Sequence, residues 1–143
     1  MGIDLTRYIE AQEQKYTVAL SEIKAGRKES HWMWFIFPQI AGLGHSDVSK
    51  YYAIKDMEET RAYLQHEVLG ARLKEITGVL LELETDNARH IFGSPDDLKL
   101  HSCMTLFAMA DEEENNIFEK ALAKFFKGKY DKNTVGILEE EMG

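Results

Sequence analysis

The chain has 143 residues, of which 44% are hydrophobic and 29% are charged, and its formal net charge is -8. This length and composition are typical of one folded domain with a single core, which argues against a disordered chain and against two independent domains, so residues 1–143 are treated as one domain. Nucleic-acid affinity depends on Lys and Arg side chains that neutralise phosphates, and the acidic balance therefore argues against a nucleic-acid partner.

The first predicted helix follows from apolar residues that recur at helical spacing from Leu5 to Ile23. Asp4 is a suitable N-cap for this helix, and Gly26 is a suitable stop. The next apolar run, over 31–38, is too continuous for an amphipathic helix and closes with a proline. It is expected to be a short buried helix or a turn, with a strand as the alternative.

Turn and capping residues predict two helices in the next segment. A glycine-rich turn at 42–44 precedes a short helix over 46–52, for which Ser46 is the expected N-cap. Asp56 opens the second helix, over 56–66, with a glutamate three residues later in the capping-box pattern.

Two longer helices are predicted after these. Apolar spacing supports a helix over 68–83, which is interrupted by the weak helix formers Gly70 and Gly78. Ser94, followed by a proline and two aspartates, has the pattern of a helix start, so a helix is expected from there to about Ala110.

The last part of the chain predicts a helix over 117–126, ended by Gly128, and a short final helix over 134–142. In all, about seven helical segments joined by short turns predict an all-α domain. The order in which the helices pack is left open.

Motifs for metal binding and nucleophilic catalysis are missing from the sequence. None of the five histidines lies in an HExxH pair or at another ligand spacing, and there is no GxSxG elbow. Cys103 lies between apolar residues without a neighbouring base, so it is expected to pack as a small hydrophobe. The sequence therefore predicts no metal site and no cofactor.

The expected location is the cytoplasm. The single cysteine cannot form an intramolecular disulfide, which suits a reducing compartment. The N-terminal residues lack the pattern of a signal peptide, and no apolar run is long enough to span a bilayer, so neither export nor a membrane role is expected.

Aromatic and polar residues concentrate in a first segment, over 30–46. Side chains two residues apart on a helix point about 200° apart, so Trp32 and Trp34 are predicted to differ, one buried and the other lining a surface or cavity. Such an aromatic run ordinarily belongs to the core. Any cavity beside it would combine flat rings with polar side chains, as small-molecule pockets do, because the run is bracketed by Arg27, Lys28, Ser30, His31 and Gln39.

The glycines of this segment give a weaker signal. Gly42 and Gly44 could expose backbone amides near a helix start, an arrangement that binds phosphate or carboxylate. The segment lacks the lysine of a P-loop and a preceding strand, and the carboxylate of Asp47 opposes an anion.

A second polar segment lies over 94–105. On a helix, Lys99, Ser102 and Thr105 form one polar stripe with about 60° between neighbours, opposite apolar side chains. A purely structural helix would turn this stripe toward water. If the stripe faces inward, either a satisfied polar network or a ligand site is required, because unpaired buried polar groups are costly.

These segments carry a family resemblance. GRKESHWMWFIFPQ at 26–39, GLGHS at 42–46 and IFGSPDDLKL at 91–100 resemble an uncharacterised, largely bacterial family of small all-helical proteins. The family often carries the label calpastatin, which we reject. The resemblance covers nearly the whole chain and implies a compact helical fold with no established activity.

The first functional hypothesis is a small-molecule or modified-nucleotide pocket, either for binding alone or for catalysis, between the SHWMWF segment and the SPDDLKLHSCMT helix. Stacking on a tryptophan suits a flat group, a lysine would neutralise an anionic part, and His31 is the candidate for proton transfer. The predicted ligand-binding residues are Lys28, Ser30, His31, Trp32, Trp34, Gln39, Gly42, Gly44, Ser46, Lys99, Ser102 and Thr105.

The alternative hypothesis is a non-enzymatic protein-interaction or regulatory module. In that case the aromatic side chains belong to the core, and an exposed helix face binds a partner protein. A concave pocket that contains His31 and Lys99 together favours the first hypothesis, whereas an exposed apolar patch favours the second.

Overall fold

The computed structural model describes residues 2–142, so Met1 and Gly143, at the ends of the predicted domain, lie outside the described residues. The described part contains nine helices and confirms the all-α prediction. The count exceeds about seven because the run over 31–38 forms a helix and because one further helix was not predicted. The helices are α1 Thr6–Lys24, α2 Met33–Ile36, α3 Asp47–Tyr52, α4 Met57–Gln65, α5 Leu69–Glu82, α6 Ala88–Phe92, α7 Asp96–Ala110, α8 Ile117–Phe126 and α9 Lys132–Met142.

The predicted caps of α3 and α4 are confirmed. The Ser46 side chain accepts a hydrogen bond from the Ser49 amide at 3.1 Å, and the Asp56 side chain accepts one from the Glu59 amide at 2.9 Å. Each cap satisfies a first-turn N–H that has no partner inside its own helix.

The predicted cap of α7 was wrong. The helix begins at Asp96, with Pro95 in the N-cap position and no hydrogen bond from a capping side chain. Backbone carbonyls satisfy the first turn instead, because the Asp97 amide donates to Gly93 and the Leu98 amide donates to Pro95, each at 3.0 Å. Ser94 therefore has no capping role.

The helix that was not predicted is α6, which has only five residues. Asn87 caps it by accepting a hydrogen bond from the His90 amide at 3.2 Å. The pattern that indicates α6 is this Asn87 followed by Gly93 just beyond the helix end.

The central helix of the fold is α7, which packs against α4, α6, α8 and α9. It is buried without interruption from Ser102 to Ala108. A second group of contacts joins α1 to α2 and α5, and α5 also packs against α4 and α8. Since the sides of α7 lie against other helices, its polar residues turn inward as well as its apolar ones.

Helix α5 continues through both of its glycines, so neither Gly70 nor Gly78 interrupts it. Gly70 is required for packing, because a Cβ atom there would lie 2.0 Å from the backbone oxygen of Leu64, at the end of α4. The absence of a side chain allows α4 and α5 to approach closely at the turn between them.

A single parallel bridge positions the loop after α2. Ala41 donates its N–H to the Ile54 carbonyl at 2.7 Å, and Ile54 donates to the Gln39 carbonyl at 2.8 Å. The bridge holds the glycine turn at 42–44 beside Trp34 and the start of α3. Within residues 2–142, no helix combines the length and apolar character needed to cross a membrane.

Candidate functional site

The two tryptophans differ as predicted. Trp32 is fully buried, and its indole N–H donates to Glu22 Oε1 at 2.9 Å, whereas Trp34 is partly exposed. The prediction of one buried and one surface-lining tryptophan is confirmed. Because Trp32 is enclosed and hydrogen-bonded, its ring faces belong to the core, and Trp34 is the ring available for stacking.

Glu22 anchors the start of the first segment. Its carboxylate accepts hydrogen bonds from the amides of Glu29 and Ser30, from the Ser30 hydroxyl and from the Trp32 indole. Partial burial raises the pKa of the Glu22 carboxyl, but these hydrogen bonds lower it by more, from 4.5 to about 2. Glu22 is therefore ionised at neutral pH, and Ser30 is committed to a structural contact.

Asp96 joins the two segments through two lysines. Lys28 Nζ lies 2.9 Å from Asp96 Oδ2, and Lys99 Nζ lies 3.0 Å from Asp96 Oδ1. Partial burial raises the pKa of the Asp96 carboxyl, but hydrogen bonds and charge from both lysines lower it by more. The lysines lie over the two indoles, Lys28 at 5.0 Å from the Trp32 ring centre and Lys99 at 3.8 Å from that of Trp34.

A groove between α2, the glycine turn and α7 has a volume of about 330 Å³. We call it the Trp34 groove, and its lining residues are Trp34, Gln39, Leu43, Gly44, Pro95, Leu98, Lys99, His101, Ser102, Asp131 and Asn133. It continues into a recess of about 100 Å³, which shares Trp34, Gln39, Leu43 and Gly44 and adds Gly42 and Tyr52. A third cavity of about 80 Å³, the rim depression, lies on the other side of Trp34 and Lys99.

The rim depression contains His31 together with Lys99, which is the juxtaposition that favours the pocket hypothesis. His31 itself is exposed. Lys28 and Trp32 also line this depression, but Lys28 is held by Asp96 and by the Ser30 carbonyl at 2.6 Å.

The polar stripe of α7 is mostly buried. Ser102 is 2% exposed and Thr105 is fully buried. The alternative in which a purely structural helix turns this stripe toward water is therefore wrong for these two residues. Ser102 Oγ lies 3.0 Å from Thr134 Oγ1, which donates to Asp131 Oδ2 at 2.6 Å. Thr105 Oγ1 donates to the His101 carbonyl and accepts from the Asp131 amide, each at 2.8 Å. The stripe thus forms a satisfied polar network that fixes the start of α9.

The structure brings part of the predicted set together. Five predicted residues line the Trp34 groove, namely Trp34, Gln39, Gly44, Lys99 and Ser102, and Gly42 lines its recess. His31, Lys28 and Trp32 line the rim depression. Ser30, Ser46 and Thr105 line none of these three cavities, and the hydrogen bonds described above give each of them a structural role.

The glycines act mainly by allowing close packing. A Cβ atom at Gly44 would lie 2.6 Å from the Ser49 side chain, and one at Gly42 would lie 3.3 Å from Ile137. Gly42 also has a φ of +106°, which L side chains rarely adopt. The turn therefore brings its backbone close to α3 and α9, which shapes the recess.

Three polar residues of the groove were not predicted from the sequence, namely His101, Asp131 and Asn133. His101 Nε2 lies 2.7 Å from the Lys129 carbonyl, and the ring stacks on Phe126 at 4.1 Å. Because a carbonyl only accepts, Nε2 carries a proton and donates it to Lys129. Asp131 and Asn133 lie in the segment before and within the first turn of α9, where the apolar pattern gives no signal.

The groove combines one aromatic wall with hydrogen-bond donors, hydrogen-bond acceptors and side chains that can do both. Lys99 donates, Asp131 accepts, and the side-chain amides of Gln39 and Asn133 do both. Within residues 2–142, no group of three or more His, Cys, Asp or Glu side chains is placed to hold a metal ion. The arrangement is suited to recognising a flat organic molecule with polar edges.

Comparison with known proteins gives one family and one solved structure. The family model described as protein of unknown function (DUF1810) matches residues 2–138. The chain is similar to the conserved hypothetical protein Rv1873 from Mycobacterium tuberculosis, whose crystal structure superposes with a TM-score of 0.92. The two sequences are 48% identical, and the match covers 95% of this chain and 96% of that one. No curated protein matches. The chain belongs to the DUF1810 family of proteins of unknown function.

Proposed function

We propose that the Trp34 groove binds a small, flat heterocyclic molecule, such as a modified nucleotide base, with Trp34 as its stacking wall. One observation carries the proposal. Trp34 lines the groove, its recess and the rim depression. The Lys99 ammonium, which lies 3.8 Å from the ring centre, therefore leaves other parts of the indole open to these cavities.

The size and polarity of the groove support such a ligand. Its volume of about 330 Å³ is close to the lower end of small-molecule sites, which run from about 300 to 1,000 Å³. A heterocycle presents both donors and acceptors at its edge, and Gln39, Asn133 and Asp131 offer the complementary groups. Ser102 also lines the groove, and its hydrogen bond to Thr134 holds α7 against the first turn of α9.

An enzymatic version of this proposal assigns proton transfer to His31. This residue lies across Trp34 and Lys99 from the groove, in the rim depression, and its imidazole is exposed. An imidazole ring can act as a proton donor or as a proton acceptor, as this role requires. A ligand that stacks on Trp34 and extends past Lys99 would bring its edge to His31.

A thermal-shift screen with a metabolite library tests the binding role. A ligand at about 100 times its dissociation constant stabilises the folded state by roughly 2.7 kcal/mol, which is easily measured in a domain of this size. Flat heterocyclic compounds without a phosphate group that stabilise the parent protein should have no effect on Trp34→Ala and a weaker effect on Lys99→Met. They should keep their full effect on Lys74→Met, an exposed lysine of α5 outside the groove. Equal stabilisation of Trp34→Ala would contradict the proposal.

A protein-interaction surface is the second candidate, and one observation favours it. Val48 and Tyr51, one turn apart on α3, are 49% and 59% exposed, so they form an apolar patch next to the recess. Tyr51→Ser would remove the centre of this patch without touching the groove. Loss of a co-purifying protein in this variant, together with no hit in the library screen, would favour the interaction role.

We also propose that the protein acts in the cytoplasm. Cys103 is free and fully buried, and burial raises the pKa of its thiol well above the ordinary value. A buried neutral thiol is stable in a reducing compartment. Fractionation of cells that produce the protein tests this location directly.

A further inference from the structure

A further concave surface lies at α6 and shares no lining residue with the Trp34 groove or its recess. It has a volume of about 510 Å³ and is formed by the loop after α1 and by the end of α6. We call it the cationic depression, and its lining residues are Arg27, Lys28, Arg89, His90, Ile91, Phe92 and Gly93. The proposed groove function uses none of these residues except Lys28, which supports Asp96.

The charge of this depression differs from that of the whole chain. Its lining includes three side chains with permanent positive charge and one histidine but no acidic residue, although the formal net charge of the protein is -8. Lys28 is paired with Asp96. Arg27 and Arg89 are exposed, and within residues 2–142 neither forms an ion pair with a carboxylate.

The backbone beneath these arginines is fixed. The Lys28 amide donates to the Ile91 carbonyl at 2.8 Å, which ties the loop after α1 to α6. Ile91 is 1% exposed and Phe92 is 6% exposed, so both anchor α6 in the core. Arg27 and Arg89 therefore belong to two segments that are held together, and both line the same depression, where an anion would be attracted to each of them.

We propose that the cationic depression binds the phosphate group of a small molecule. A guanidinium presents a planar fork of donors that matches phosphate oxygens in a bidentate manner, and two such forks with His90 suit a dianion. A nucleic acid would extend beyond the depression over a protein whose formal net charge of -8 repels it, so the size of the depression favours a single phosphate group. This inference does not rest on the function proposed for the Trp34 groove.

The test is a titration of the 143-residue protein at constant ionic strength, with NMR as the readout. Inorganic phosphate and ribose 5-phosphate are added separately, and the side-chain Nε–H signals of Arg27 and Arg89 are recorded together with the Gly93 amide. Both compounds should shift these signals. Tighter binding of ribose 5-phosphate would support a phosphorylated metabolite as the natural ligand, and equal binding would support free phosphate.

Matched variants give the proposal a clear failure. Arg27→Gln and Arg89→Gln should each weaken phosphate binding about tenfold or more, since each removes charge-assisted hydrogen bonds. Arg61→Gln removes the same charge from an exposed site on α4 and should change the affinity by less than about twofold. Trp34→Ala should also retain phosphate binding, which separates this site from the groove. Equal losses in all three arginine variants, or no shift of the arginine signals, would overturn the proposal.

Discussion

The Lys99 ammonium lies 3.8 Å from the centre of the Trp34 ring and at the same time 3.0 Å from Asp96 Oδ1, one turn earlier on α7. The indole face and the Asp96 carboxylate both attract the ammonium group, and together they hold the lysine in one position. Trp34 belongs to α2 and Lys99 to α7, so this contact joins the two segments whose composition suggested a site.

Removal of the Lys99 side chain should uncover the Trp34 ring. Lys99→Ala is expected to increase quenching of tryptophan fluorescence by acrylamide, because Trp34 becomes more accessible while Trp32 stays fully buried. The loss of stability should be small, about 1 kcal/mol, since the lysine is partly exposed. Lys74→Ala is the control and should leave quenching unchanged. Unchanged quenching in Lys99→Ala would show that the lysine does not cover the ring.

Glu22 should make the stability of the first segment depend on pH. The folded-state pKa of about 2 lies below the ordinary value of 4.5, so the stabilisation by this carboxylate is fully present above the unfolded-state pKa. It is lost as the pH falls from about 4.5 toward 2. Urea unfolding of the parent and of Glu22→Gln should therefore show a large difference at pH 7 that shrinks toward pH 3. A difference that is independent of pH would contradict this account.

The network below the groove should contribute more to stability than other buried hydroxyl groups. Thr134→Val removes the hydroxyl that links Ser102 to Asp131, so it should lower the free energy of unfolding by about 1 to 3 kcal/mol. Thr77→Val is the matched control, because the Thr77 hydroxyl is also fully buried but has no hydrogen-bond partner in the described structure. This control should be neutral or stabilising. Chemical denaturation measures both, and equal effects would argue against the network.

Two glycines of α5 should respond in opposite directions to the same substitution. Gly70→Ala places a Cβ atom 2.0 Å from the Leu64 oxygen, so α4 and α5 must separate and the variant should be strongly destabilised. At Gly78 the nearest atom, on Ile117, is 3.6 Å away, and alanine should stabilise the helix by roughly 0.5 to 1 kcal/mol. Thermal unfolding of the two variants checks the pair, and a stable Gly70→Ala protein would show that the close approach is not required.

Most of the helices could be predicted from the sequence because their signals are local. Ser46 and Asp56 cap the helices that follow them, and a cap needs only residues within one turn. The start of α7 could not be predicted in the same way, since the carbonyl of Gly93 accepts the Asp97 amide, one of the groups that a Ser94 cap would serve. A helix of five residues, α6, is too short for its apolar spacing to stand out.

The candidate site was only partly predictable because many partners are distant in sequence. The difference between Trp32 and Trp34 was predicted from their two-residue spacing, although Trp32 is the N-cap residue of α2 and lies just outside the helix. In contrast, Ser30 binds Glu22 in the last turn of α1, and Thr105 binds the segment before α9. Their polar character suggested ligand binding, but tertiary contacts that no local pattern encodes had already satisfied them. His101 entered the groove for the same reason, through its contact with Lys129.

The most direct test of the groove is an NMR screen of flat heterocyclic compounds that records the two indole N–H signals, assigned with a Trp34→Phe variant. Compounds that bind the groove should shift the indole signal of Trp34 and the amide signals of Gly42 and Gly44. The Trp32 signal should stay in place, because its N–H is buried and hydrogen-bonded to Glu22. Equal shifts of both indole signals, or a heterocycle library that leaves the Trp34 signal unmoved, would contradict a binding role for the Trp34 groove.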